Sequence, residues 1–291
     1  MEIAYHIGVS CTDGEQIMRS LNRAIKPLAQ RGTLLPPTGR YRKALREAIE
    51  AQVAAPAPPD ARANIMGQIF GAHPLPKRMV LANPNFLATP MRALEGGLFY
   101  GNAAFKTAAM QALFPKDELI FHIGLRNPAT LLPALREAAQ ASDMESYLGA
   151  ADPFAMRWSQ VIENMRDAAP AAKIVAWCNE DTPLVWHDIL KSLGGHGDMD
   201  HAGRLDLAAQ LMPREGVDRL QAFLTANPPA TPAQEHRVIG AFLSKFVTLD
   251  SVMEEIDVPG WDQSTIARLT AQYEEDLRRI ALIDGVTFLT A

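Results

Sequence analysis

The chain alternates between short continuous runs of apolar residues and longer segments in which apolar residues recur every three or four positions. The short runs are typical of parallel strands that helices cover on both faces, because neither face is left to polar side chains. The longer segments have the spacing of amphipathic helices, as in Ile17, Leu21 and Ile25 of the first one. Strands alternating with helices predict an α/β fold with a parallel sheet flanked by helices. The predicted strands are residues 2–8, 33–35, 79–82, 118–125 and 173–178.

The pattern changes after residue 195, where no further long strand is predicted. Residues 203–282 have the spacing of three or four helices, with a break at Asn227-Pro228-Pro229. We therefore expect two parts in the chain. Residues 1–195 form an α/β core, and residues 196–291 form a helical C-terminal extension packed on that core.

Composition places the chain among ordinary globular proteins, with 48% hydrophobic and 21% charged residues in a length of 291. The net charge of −5 argues against a nucleic-acid binder, which would carry a strongly basic face. No apolar run reaches the roughly 20 residues of a membrane span, and the first residues lack the pattern of a signal peptide. We therefore expect a cytoplasmic protein without nucleic-acid or membrane partners.

The two cysteines, Cys11 and Cys178, cannot by themselves form a disulfide framework or a zinc site. We interpret both as small packing residues at the ends of strands. A reactive thiol at Cys11 is the alternative, since a helix N-terminus lowers the pKa of a thiol.

The polar loop after the first strand is the strongest candidate for a ligand site. Residues 9–16 contain Ser, Thr, Asp and Gly and lie between a predicted strand and a predicted helix. Backbone N–H groups at such a junction point at whatever occupies the helix N-terminus, and they favour anions there. The loop lacks the lysine of a G-x-x-x-x-G-K-[ST] phosphate loop, so its motif is incomplete.

Four segments in succession resemble bacterial sulfotransferase-like proteins, over roughly residues 2–195. They are residues 6–16, the short strand before Pro36, the strand that ends in Arg126-Asn127-Pro128, and residues 175–183. The resemblance implies a P-loop NTPase/sulfotransferase-like fold and the co-substrate 3′-phosphoadenosine 5′-phosphosulfate. In the family the first loop reads H-I-G-x-x-K-T-G-T-T and wraps the phosphosulfate, while the arginine binds the 3′-phosphate. The resemblance therefore implies a donor site formed by Gly8, Ser10, Cys11, Thr12, Asp13, Gly14 and Arg126.

The loop departs from the family at the residues that handle charge. The family's lysine falls on Cys11, and its G-T-T falls on Asp13-Gly14-Glu15, which places two carboxylates where an anion would bind. At partial exposure, each carboxylate would repel an incoming anion by about 1 kcal/mol. The family's serine after the arginine falls on Ala134. We therefore describe the donor-binding loop as degenerate.

The segment after the third strand departs from the family as well. Many sulfotransferases place a catalytic glutamate or histidine there, whereas this chain has Asn83-Pro84-Asn85, and an asparagine amide cannot accept a proton as a general base. His6 and Asn85 are the candidates for the catalytic position. Further candidates that the sequence leaves open are Lys43 and Lys106 for the missing lysine, and His73 and His122 for the base.

The resemblance implies, for an active enzyme, transfer of a sulfuryl group to a hydroxyl of a small-molecule or saccharide acceptor. The alternative is a catalytically inactive protein of the same fold that binds a ligand or a protein partner. A positively lined crevice with a relocated lysine would favour the transferase, and a crevice filled by Asp13 and Glu15 would favour the binding protein. The sequence leaves the oligomeric state open.

Two further clusters of polar residues have alternative interpretations. The run of Arg40, Arg42, Lys43 and Arg46 with Tyr41 is either an anion patch for an acidic or sugar-sulfate substrate or one solvated face of a helix. Metal-ligating side-chain types also gather in one loop, but their spacing matches no metal motif, and we predict a solvated loop without a metal. The residues of that loop are His196, Asp198, Asp200 and His201.

Overall fold

The computed structural model describes residues 1–197, 202–247 and 258–291. Within these ranges, six strands form one parallel sheet, which confirms the predicted α/β class. The strands are β1 (Glu2–Gly8), β2 (Thr33–Leu34), β3 (Arg78–Ala82), β4 (Glu118–Leu125), β5 (Lys173–Cys178) and β6 (Val286–Leu289). Their order across the sheet is β2-β3-β1-β4-β5-β6.

Helices cover both faces of the sheet. One face packs against α1 (Gln16–Arg23), α2 (Ile25–Gln30) and α9 (Thr182–Gly194). The helices whose apolar residues pack on the opposite face are α3 (Arg42–Glu50), α4 (Ala61–Phe70), α5 (Ala103–Leu113), α6 (Pro128–Ala138), α8 (Trp158–Ala168) and α13 (Gln263–Ile280). The short helix α7 (Met144–Leu148) belongs to a smaller apolar cluster beside α6.

Strand β1 explains why the apolar runs are continuous. Its residues Ile3, Tyr5 and Ile7 belong to the core on the α3–α5 side, whereas Ala4 belongs to the core on the α1 and α9 side. Successive side chains of a strand point to opposite faces, so a strand covered by helices on both faces needs apolar residues at every position.

Two features of the fold differ from the sequence-based expectation. The first predicted helix is two helices, because α1 ends at Arg23 and α2 begins at Ile25, with Pro27 in its first turn. Proline has no N–H group and cannot continue the hydrogen bonding of α1. The end of the chain is not purely helical either, since β6 adds a parallel strand beside β5.

The C-terminal helices lie on the core in two groups. The helices α10 (Ala208–Leu211), α11 (Arg214–Ala226) and α12 (Pro232–Phe246) share an apolar cluster of their own, and α12 packs against α9. The predicted break at 227–229 separates α11 from α12. Helix α13 packs against α6 and α8. Among the helices of the described residues, none is both long enough and apolar enough to cross a membrane.

Candidate functional site

The strands are parallel, so their carboxyl ends lie along one edge of the sheet. Near the middle of this edge, the direction in which the chain adds strands to the sheet reverses. From β1 the chain goes to the edge strand β2, returns to β3, and then crosses β1 to reach β4 on its other side. Open α/β sheets bind ligands in the crevice at such a reversal, outside the carboxyl ends of the strands. The loop of residues 9–15 follows β1 and therefore lies at this position.

The turn that leads from β1 into this loop requires glycine. Gly8 has a φ of 105°, and a Cβ atom there would lie 2.4 Å from the backbone oxygen of Pro84. Cys11, Gly14 and Glu15 have left-handed conformations, with φ values of 63°, 55° and 64°. The loop thus folds tightly against the segment that follows β3.

Asp13 occupies the N-terminal end of α1. Its Oδ2 atom accepts a hydrogen bond of 3.1 Å from the backbone N–H of Ile17, and its side chain is only 5% exposed. The buried His6 ring lies behind it, with Nε2 3.9 Å from Asp13 Oδ1, and stacks against Trp177. Burial lowers the pKa of His6. A carboxylate of the chain itself therefore takes the position at which a helix N-terminus favours an anion.

Arg126 lies beside this loop. Its Nε donates a hydrogen bond of 3.1 Å to Thr130 Oγ1, and its Nη1 donates to the carbonyl oxygen of Cys11. The thiol of Cys11 points to α6, where it donates to the carbonyl oxygen of Ala134 at 3.6 Å. The arginine thus ties the carboxyl end of β4 to the loop after β1.

A cavity of about 650 Å³, which we call the Arg126 cavity, opens on this side of the loop. Its charged lining residues are two carboxylates, Asp13 and Glu180, and two cations, Arg19 and Arg126. The opposite charges are equal in number, so the lining gives no strong preference for an anion.

Glu180 connects the Arg126 cavity to the C-terminal helix α13. Its Oε1 accepts a hydrogen bond of 2.9 Å from the backbone N–H of Asn127, and its Oε2 lies 2.8 Å from the Tyr273 hydroxyl. The Asn127 side chain donates to Thr270 Oγ1 at 2.9 Å. Neighbouring Cys178 is buried, and burial raises the pKa of its thiol to about 12. Helix α13 therefore supports the carboxyl ends of β4 and β5.

A second cavity of about 440 Å³, which we call the Lys106 cavity, lies on the other side of the loop between the end of β3, α3 and α5. Its charged lining consists of five cationic side chains and one carboxylate, that of Glu50. Apolar and aromatic side chains also line it. The cations are Arg42, Lys43, Arg46, Arg92 and Lys106, and the apolar residues are Tyr5, Leu45, Ile49, Phe86, Leu87 and Ala88.

Three of the five cations have carboxylate partners. Arg42 Nη2 lies 2.5 Å from Glu15 Oε1, Lys43 Nζ lies 3.8 Å from Glu47, and Arg92 pairs with Glu95 at 2.7 Å. Arg46 and Lys106 make no ion pair within the described part of the chain. These two side chains leave positive charge in a cavity of a chain whose net charge is −5.

The structure divides the basic run after residue 39. Arg42, Lys43 and Arg46 line the Lys106 cavity, whereas Arg40 donates a hydrogen bond of 3.0 Å to the carbonyl oxygen of Ile69. The buried Tyr41 hydroxyl lies 3.0 Å from the carbonyl oxygen of Ala82. The run is therefore neither one continuous patch nor one solvated helix face.

The catalytic candidates from the sequence lie in different places. Asn85 lines the Lys106 cavity, and its Oδ1 accepts a hydrogen bond of 2.6 Å from Ser10 Oγ. The three histidines named as bases line neither cavity. His122 is buried 2.9 Å from Ser192 Oγ, with its pKa lowered to about 3 by burial, and His73 is exposed. Among the described residues, the walls of the two cavities therefore contain no histidine.

The sequence-based metal candidates fall only partly within the structure. His196 Nε2 lies 3.0 Å from Thr33 Oγ1, and Asp198, Asp200 and His201 lie outside the described residues. Within residues 1–197, 202–247 and 258–291, no group of three or more His, Cys, Asp or Glu side chains could hold a metal ion.

Sequence reasoning missed Arg92 and Asn102 of the Lys106 cavity and Glu180 of the Arg126 cavity. Arg92 and Asn102 lie in the irregular segment between β3 and α5, where no periodic pattern indicates which side chains face inward. Glu180 directly follows β5, and the end of a parallel strand was the signal that could have found it.

No family model, curated protein or solved structure matches this chain. The function must therefore be inferred from the geometry and the charges of the two cavities.

Proposed function

We propose that the protein binds a small organic anion in the Lys106 cavity, as a ligand-binding protein of sulfotransferase-like fold. The observation that carries this proposal is the excess of cationic side chains in the lining, which is five against one carboxylate, and two against one when the three ion-paired cations are set aside. A charge excess inside a concave site with apolar walls attracts and retains ligands of the opposite sign.

The lining also indicates the kind of anion. Planar guanidinium groups donate paired hydrogen bonds to carboxylate, sulfate and phosphate groups. In this lining the guanidinium of Arg46 makes no ion pair within the described residues, whereas those of Arg42 and Arg92 already bond to Glu15 and Glu95. The apolar side chains of Leu45 and Phe86 suit an uncharged body of the ligand. A sulfate or phosphate ester with an aromatic or aliphatic body satisfies both parts of the lining.

A positively lined cavity that contains a lysine is also what a transferase would need, so the choice between binding and group transfer rests on the loop after β1. Asp13 already holds the first turn of α1, and Glu15 is paired with Arg42. A phosphate at the helix N-terminus would displace Asp13 or lie against its charge, and like charges at close range repel. The loop therefore favours a protein with the sulfotransferase-like architecture that binds its anion in the Lys106 cavity and not at the N-terminal end of α1.

Arg46→Gln tests the proposal, because the substitution removes a lining cation without an ion-pair partner in the described residues. We expect 4-nitrophenyl sulfate and 4-nitrophenyl phosphate to bind the wild-type protein and to bind the variant about tenfold more weakly, a loss of about 1.4 kcal/mol. Isothermal titration calorimetry measures both affinities. Arg40→Gln, on the same basic run but bonded to Ile69, is the matched control and should keep wild-type affinity. Equal weakening in both variants would refute the proposed site.

Sulfuryl transfer from 3′-phosphoadenosine 5′-phosphosulfate to a small-molecule or saccharide hydroxyl is the second candidate function. The position of Arg126 beside the loop and on a separate cavity favours it, because a transferase needs a donor site next to an acceptor site. In this case the Arg126 cavity would hold the donor and the Lys106 cavity the acceptor.

Titration with adenosine 3′,5′-bisphosphate, the desulfated donor product, tests this second candidate. If it holds, the wild-type protein binds the compound at micromolar concentration and Arg126→Ala loses the binding. Arg136→Ala, on the same helix as Thr130 but outside both cavities, controls for a general loss of positive charge. The absence of heat and of thermal stabilisation at millimolar ligand would rule out the transferase, and anion binding would remain as the proposed function.

A further inference from the structure

The Lys106 cavity contains two lysines in different environments. Lys43 is on α3, with its side chain 76% exposed and 3.8 Å from Glu47. Lys106 is on α5 and half-buried, and its Nζ donates a hydrogen bond of 2.7 Å to the carbonyl oxygen of Phe86. The nitrogen of Lys106 therefore has a fixed place in the wall of the cavity, whereas that of Lys43 lies mostly in solvent beside Glu47.

The surroundings of Lys106 favour its neutral form more than water does. Burial lowers the pKa of Lys106, the charge of Arg92 lowers it further, and the carboxylates of Glu50 and Glu95 oppose the shift without cancelling it. A desolvated lysine beside another cation is the usual arrangement by which a protein makes a lysine amine nucleophilic.

The hydrogen bond to Phe86 is compatible with this chemistry. A carbonyl oxygen accepts from an amine as well as from an ammonium group, so the bond holds Nζ in place in both protonation states. In the neutral state the nitrogen keeps its lone pair. The guanidinium of Arg46 and the other lining cations supply an anchor for an acid group of the same ligand.

We propose that the Lys106 cavity takes an anionic aldehyde or ketone and that Lys106 forms an imine with its carbonyl carbon. The proposal rests on the anion binding proposed above and narrows the ligand class. The lone pair of Nζ attacks the carbonyl carbon, an N–C double bond replaces the C–O double bond, and the oxygen leaves as water with the two amine protons. No oxidant, reductant or metal is required for this step.

Reductive trapping tests the proposal, with pyridoxal 5′-phosphate as the probe because it combines a phosphate, an aromatic ring and an aldehyde. Sodium borohydride supplies a hydride that converts the imine to a stable secondary amine. Mass spectrometry of the intact protein and of its peptides then locates the adduct. We expect labelling at Lys106 to exceed labelling at Lys43 at least tenfold and to be absent in Lys106→Arg. Lys116→Arg, an exposed lysine outside the cavity, should be labelled like the wild type.

Competition separates this inference from the proposed function. Excess 4-nitrophenyl phosphate should protect Lys106 from labelling in the wild-type protein, and Lys116→Arg, which leaves the cavity lining intact, should bind that compound as the wild type does. If 4-nitrophenyl phosphate protects the cavity but Lys106 is not labelled in preference to Lys43, the imine is refuted and the proposed anion binding stands. Absence of both protection and measurable binding of 4-nitrophenyl phosphate would overturn the proposed function and the imine together.

Discussion

The carboxylate of Asp13 occupies the position at which the loop after β1 would bind an anion. Sequence spacing places Asp13 where the sulfotransferase-like loop has a glycine, and predicts that its charge repels an anion. The structure gives this carboxylate a partner, the backbone N–H of Ile17, so that its charge stabilises the first turn of α1. An unfavourable residue for donor binding is thus a favourable one for folding.

The glycines of the same loop provide a test at the scale of single residues. Gly8 and Gly14 both have positive φ, but a Cβ atom at Gly8 would lie 2.4 Å from Pro84 O, whereas nothing lies within 4 Å of one at Gly14. We expect Gly14→Ala to lower the free energy of unfolding by about 1 kcal/mol, from the left-handed backbone alone. Gly8→Ala adds a backbone clash and should cost about 3 kcal/mol.

Urea denaturation of the two variants measures the difference between them. Both substitutions add the same methyl group, so the comparison measures the contact with Pro84 together with the greater backbone strain at the φ of 105° of Gly8. Equal losses of stability would mean that the loop after β1 does not pack against the segment after β3.

At the scale of elements, two histidine–carboxylate contacts join α9 to α12. His187 Nδ1 lies 2.9 Å from Glu235 Oε1, and His236 Nε2 lies 2.7 Å from Asp188 Oδ2. Arg204 Nε donates to the same Glu235 oxygen at 2.7 Å. Helix α12 therefore attaches the α10–α12 group to the core through two neighbouring contacts. The histidine is on α9 in one contact and on α12 in the other.

Glu235 should make the stability of the protein depend on pH in the acid range. Burial opposes its ionisation, but the hydrogen bonds from His187 and Arg204 outweigh burial and lower its pKa from 4.5 to about 2. A carboxyl group with a lowered pKa contributes stability above its unfolded value and loses that contribution as the pH falls through the folded value. We expect a loss of up to about 3 kcal/mol between pH 4.5 and pH 2.

Chemical denaturation across this pH range, in the wild type and in Glu235→Gln, measures the effect. The variant should be less stable at pH 7 and should lose less stability on acidification than the wild type. Glu215→Gln, at an exposed residue of α11 paired with Arg219, should behave like the wild type. Parallel pH curves for the wild type and Glu235→Gln would contradict the role of the Glu235 carboxylate.

Elements were predictable where their pattern is unambiguous. The runs of β1, β4 and β5 are continuous because helices cover both faces, so their character follows from hydrophobicity alone. Strand β6 was missed because it has four residues, half-exposed or exposed, at the edge of the sheet. Its strand structure depends on pairing with β5, which no local pattern encodes.

At the scale of the whole molecule, the site depends on residues distant in sequence. The sequence left the basic run after residue 39 open between an anion patch and a solvated helix face, and three of its cations, Arg42, Lys43 and Arg46, line the Lys106 cavity. Arg92 and Lys106 reach the same cavity from segments about fifty and sixty residues later. Sequence named Lys106 as a candidate without placing it, because its position is set by the packing of α5 against α3.

The distribution of charge also becomes visible only at this scale. The whole chain carries a net charge of −5, yet the Lys106 cavity is lined by five cations and one carboxylate. The Arg126 cavity, on the other side of the loop after β1, has two charges of each sign. This asymmetry across one loop is the basis for placing the anion site in the Lys106 cavity.

The most direct test of this placement is a crystal structure of the protein with bound 4-nitrophenyl sulfate. We expect the sulfate within hydrogen-bond distance of the Arg46 guanidinium and the ring against Leu45 and Phe86 in the Lys106 cavity. A sulfate bound instead at the N-terminal end of α1, beside Arg126 and with Asp13 displaced, would contradict this placement.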